Sequence, residues 1–147
     1  MPKLVIIAGK NDVIDWALDT YKKLLPRFSY FRFDKKIDSY SSLDDVINFR
    51  DRLENDISKV VRTSIKRDMH VIVCLNPIIY TDMGYVPILT ERFFKQHKPD
   101  VILIANNDEL INKWVCGKDC LIGYIKIKGR AQKGIKELIE MLKKILI

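Results

Sequence analysis

Residues 3–25, KLVIIAGKNDVIDWALDTYKKLL, start as a phosphate-binding strand, loop and helix start: an apolar β-run closes on Gly9 and a helical pattern follows. The motif that cradles phosphates, G-x-x-x-x-G-K-[ST], wraps backbone N–H groups around the anion. Its Lys reaches the β/γ oxygens and its hydroxyl holds Mg²⁺. Counted from Gly9, the last three places of that motif fall on Ile14, Asp15 and Trp16. The opening therefore has the pattern of a phosphate-binding fold without the groups that bind phosphate.

Working outward from this stretch, apolar runs and helical periodicities alternate along the whole chain, which is the signature of a parallel sheet covered by helices. Strands are expected at 3–8, 28–34, 70–75, 100–106 and 122–128. Helices are expected at 12–25, 43–67, 107–116 and 133–146, and an irregular segment after 75 leads to a short helix that Pro87 helps to start. In the long helix, Val46, Leu53, Ile57, Val60 and Val61 are assigned to the core, while Asp44 and Asp45 suit the positive end of the macrodipole. The expectation is one α/β domain over residues 1–147, a three-layer sandwich around a five-stranded parallel sheet.

Composition agrees with a globular chain: 48% hydrophobic, 31% charged, with only 6 Gly and 5 Pro in 147 residues. No apolar run approaches the ~20 residues of a membrane span, and the first residues lack a signal-peptide pattern, so a cytoplasmic location without membrane contact is expected. Cys74, Cys116 and Cys120 are an odd number in a chain of medium size, which does not suggest a disulfide framework. Cys116-x-x-x-Cys120 has no second Cys/His pair to complete a metal site, so no metal and no cofactor are expected. His70 and His97 are read as surface or strand-edge residues. The net charge is +7, and from Lys118 onward eight Lys/Arg face three acids, a bias that suits an anionic partner or a solvated basic face.

The stretch 71–111, VIVCLNPIIYTDMGYVPILTERFFKQHKPDVILIANNDELI, is similar to the archaeal-type adenylate kinases, a branch of the P-loop nucleoside monophosphate kinases. Thr81, Gly84, Tyr85, Val86 and Pro87 match that family's Thr-x-x-Gly-Tyr-x-Pro loop, and the final strand and helix also resemble it. The resemblance implies a P-loop nucleoside-kinase type of sheet. The departures fall on its chemistry: Ile14, Asp15 and Trp16 replace the Gly, Lys and Ser/Thr, Cys74 stands at the place of the metal-serving Asp, and only GKDC stands where the arginine-rich lid belongs. A carboxylate at the place of the lysine repels a polyanion by on the order of 4 kcal/mol per unit pair at ~4 Å and an effective dielectric near 20. Phosphoryl transfer relies on positioning and charge neutralisation, so a catalytically inactive, adenylate-kinase-like protein is expected.

Three readings follow. RNA or a ribosomal particle is expected to bind the basic cluster Lys126, Lys128, Arg130 and Lys133 at the carboxyl edge of the sheet, with Tyr80, Tyr85 and Tyr124 as candidate stacking groups. A second reading keeps AMP-type nucleotide binding, as a sensor or a residual kinase, at Gly9, Thr81, Gly84, Tyr85 and Pro87. Arg50, Arg52 and Arg62 are there either monophosphate contacts or partners of helix neighbours such as Glu54. A third is a protein–protein module or homodimer in which Gly84 serves only a turn with positive φ.

Overall fold

The structure, a computed structural model, describes residues 3–9, 28–33, 43–81, 84–106, 108–118 and 120–125, together with residues 140 and 144. Its strands are β1 (Leu4–Ala8), β2 (Phe28–Phe33), β3 (His70–Leu75), β4 (Ile78–Thr81), β5 (Gly84–Pro87), β6 (Val101–Ala105) and β7 (Leu121–Ile125). The described helices are α1 (Leu43–Lys66), α2 (Glu91–Gln96) and α3 (Glu109–Val115). The expected helices at 12–25 and 133–146 lie outside the described residues.

β1 forms the centre of the main sheet because its five residues, LVIIA, are apolar without alternation and so suit burial on both faces. The strand order is β2-β3-β1-β6-β7, and every neighbouring pair is parallel. Ile6 is opposite Val73 on one side and Ile102 on the other, and all three are fully buried. Asp100 fixes the β1–β6 register, its carboxylate accepting from the Leu4 N–H at 2.8 Å while its own N–H donates to the Leu4 carbonyl at 2.9 Å.

α1 packs against β3 and β5. Val46, Ile57 and Val61 are buried as the periodicity requires, whereas Leu53 and Val60 are only partly so. Its C-terminus closes by a Schellman pattern: Asp68 takes φ 57, its N–H donates to Ile65 at 3.0 Å, and the Met69 N–H donates to Ser64 at 3.1 Å. Asp is one of the few non-glycine residues that visit that left-handed position routinely.

The segment expected to be irregular is a β-hairpin. β4 and β5 pair antiparallel as a separate two-stranded sheet, with Tyr80 opposite Tyr85 and Ile78 opposite Pro87. Four-residue strands interrupted by Gly and Pro carry too little period to be read. Pro87 also ends β5 instead of starting a helix; α2 begins at Glu91 behind Thr90.

Candidate functional site

The carboxyl ends of β1, β3 and β6 lie at one edge of the sheet, where open α/β folds place ligands. The main chain there is largely occupied with itself. Gly9 is buried, and its N–H donates to the Leu75 carbonyl at 3.1 Å, continuing the β-ladder. Asn76 is buried with its side-chain oxygen accepting from the Ile78 N–H at 3.1 Å, which turns the chain from β3 into the hairpin. Cys74 is fully buried in β3, so its thiol is enclosed within the core rather than exposed at the edge. Ile14, Asp15 and Trp16 lie outside the described residues.

Of the proposed nucleotide residues, Thr81 and Gly84 pair across the hairpin. Gly84 has φ 132 with open space where a Cβ would stand, so the position demands glycine for its backbone and not for clearance. Tyr85 and Pro87 face a cavity of about 480 Å³, and Gly9 is not among its lining residues.

The opposite wall of that cavity comes from α3. Asp108 caps this helix, accepting from the Leu110 and Ile111 N–H groups at 3.0 and 3.2 Å. Leu110 and Trp114, one turn apart, line the cavity, and Lys113 and Lys118 line it as well. The Trp114 indole N–H donates to the Leu89 carbonyl at 3.3 Å, and its ring lies 5.8 Å from Phe94. The Lys118 ammonium stands 4.4 Å over the Phe94 ring, a cation–π contact. These α3-side residues were not singled out as candidates from sequence; the Leu110-x-x-x-Trp114 spacing was the available signal.

A second polar group lies between α1 and α2. Glu54, 2% exposed, accepts from the Thr90 N–H at 2.7 Å, the Thr90 hydroxyl at 3.1 Å and the Arg92 guanidinium at 3.0 Å. The expected pairing of Glu54 within its own helix is thus replaced by a bond to α2, since a buried carboxylate needs several donors at once. Arg50 pairs with Asp51 at 3.4 Å. His97 is buried, contrary to the surface placement expected for it, and its Nε2 lies 2.7 Å from the Ser58 hydroxyl. Burial, and secondarily the Arg62 charge, lower its pKa below the ordinary 6.5. His70 starts β3, with Nδ1 accepting from the Lys3 N–H at 2.9 Å.

Lys126, Lys128, Arg130 and Lys133 lie outside the described residues. The edge strand that leads to them, β7, exposes Leu121 and Tyr124. Among the described residues no group of three or more His, Cys, Asp or Glu side chains is placed to hold a metal ion, and no helix is long and apolar enough to cross a membrane.

No protein-family model matches the sequence, nor does any curated protein. Solved structures do match. A de novo designed protein of the PLOOP2X3 fold, determined by solution NMR, is similar over 99% of this chain and 95% of its own, with a TM-score of 0.59 and 13% identity. An engineered protein aligns over 96% of this chain and 76% of its own with 11% identity, but its TM-score of 0.38 carries no argument. The similarity to the first is one of architecture alone: this chain has an α/β fold, a parallel sheet with helices, matching a designed P-loop-like fold.

Proposed function

We propose that this chain is a catalytically inactive relative of the archaeal-type adenylate kinases, a single-domain three-layer sandwich of nucleoside-kinase type, that binds RNA or a ribonucleoprotein particle. The observation that carries the binding reading is β7: an edge strand whose Tyr124 is 55% exposed, followed in sequence by Lys126, Lys128, Arg130 and Lys133. An exposed ring offers a face for a base, and the cations after it suit phosphates, the pairing that single-strand binders use. Loss of phosphoryl transfer is supported by the sequence at Ile14, Asp15 and Trp16 and by the enclosure of Cys74.

The test is binding of single-stranded RNA across a salt series. Four neutralised phosphates give a slope of log K against log[salt] of about −3. Replacing Lys126, Lys128, Arg130 and Lys133 by Glu is expected to abolish binding and to leave an ATP-plus-AMP assay at background. Unchanged affinity and slope in that variant, or robust ADP formation by the original chain, overturns the proposal.

A further inference from the structure

The cavity between the hairpin and α3 has features that the RNA reading does not use. Its volume, about 480 Å³, lies within the ~300–1,000 Å³ of small-molecule sites. Its walls are apolar, from Ile78, Pro87, Leu89 and Leu110, with the rings of Trp114 and Tyr85 added to them. Two of the polar groups beside the walls donate elsewhere: the Trp114 N–H to Leu89, and the Thr90 hydroxyl to Glu54. Two ammonium groups, Lys113 and Lys118, meet one carboxylate, Glu91, among the lining residues, so the charge balance of the lining is positive.

We infer that this cavity binds a small planar aromatic acid, its ring system against Trp114 and Tyr85 and its carboxylate toward Lys113 and Lys118. The inference is independent of RNA binding. Aromatic walls favour a flat ring through offset or edge-to-face packing. A bonded indole N–H leaves Trp114 to act by its ring surface. The two cations select an anion over a neutral ligand of the same shape. A nucleotide fits this lining less well, because ribose hydroxyls entering a pocket walled mainly by apolar groups, with the Trp114 N–H and the Thr90 hydroxyl already donating elsewhere, give up hydrogen bonds to water for few replacements.

The experiment is calorimetric titration of the intact chain with 2-naphthoate, its neutral isostere 2-naphthamide, octanoate and AMP. Saturable one-to-one binding of 2-naphthoate is expected, about tenfold or more tighter than 2-naphthamide, the order of one favourable charge contact. Octanoate is expected to bind more weakly than 2-naphthoate, and AMP not to displace it. The double substitution Lys113→Gln and Lys118→Gln is expected to bring 2-naphthoate down to the affinity of 2-naphthamide. Equal affinities for acid and amide in the original chain, absence of saturable binding, or displacement by AMP each overturns the inference. The acid-against-amide comparison needs no variant, so it decides even if the double substitution impairs folding.

Discussion

α2 separates two neighbourhoods built on opposite logic. Toward α1, the polar groups Glu54, Ser58 and His97 are buried and each has a partner across the helix contact. Toward α3, the Phe94 ring meets Trp114 beside open volume. A seam whose buried polar groups are satisfied specifies one arrangement, because any slippage leaves a donor or acceptor stranded. A cavity walled by apolar groups imposes no such penalty and leaves room for a guest. The first region holds α2 in place, and the second uses that placement.

This contrast can be broken by substitution. The largest effect is expected on the closed side, where Ile57→Ala removes a fully buried side chain and costs about 2–5 kcal/mol in denaturant unfolding. Glu54→Gln comes next, at about 1.5–3 kcal/mol, since it weakens charge-assisted bonds to Thr90; Arg92 is largely solvated and loses less. Leu110→Ala, at the wall of a space that already exists, is expected to cost under ~1 kcal/mol. If Leu110→Ala costs as much as Ile57→Ala, the cavity is closed in solution and the contrast fails.

The smallest effect concerns pH. His97 is held neutral by burial and by Arg62, so its pKa in the folded chain lies below the 6.5 of the unfolded one. As pH falls below 6.5 the unfolded chain takes up the proton first, so stability declines toward acid and levels off below the folded pKa. His97→Asn is expected to flatten the part of that decline adjoining pH 6.5. An undiminished slope in the variant assigns the acid sensitivity to other groups.

The parts legible in the sequence were those whose cause is local. β1, β3 and β6 are uninterrupted apolar runs, and α1 repeats its core residues at helical spacing, so burial and element type could be read together. Tyr85 and Pro87, read from the sequence as nucleotide contacts, line a cavity, which by itself does not speak for a nucleotide. What escaped has causes distant along the chain. Glu54 looks like a solvent-facing charge until Thr90, 36 residues later, is placed beside it. Ser58 and His97 are 39 residues apart, and no period in either segment announces their contact. Trp114 carries significance only because Leu89, 25 residues earlier, and Phe94 are placed beside it. The hairpin itself was missed because two four-residue strands are shorter than the window over which alternation can be counted.

The central position of β1 has a consequence in time. It is made before the strands that flank it, and its partners come late: Lys3 bonds to His70 across 67 residues and Leu4 to Asp100 across 96. At ~5–20 residues per second of synthesis, Leu4 waits roughly 5–20 s for Asp100 to be made. Until His70–Leu75 is made LVIIA has no neighbouring strand, and until Val101–Ala105 is made it has β3 beside it but not β6; long-range parallel pairing is intrinsically slow. A slower translation rate lengthens the time for which this apolar strand lacks its second neighbour.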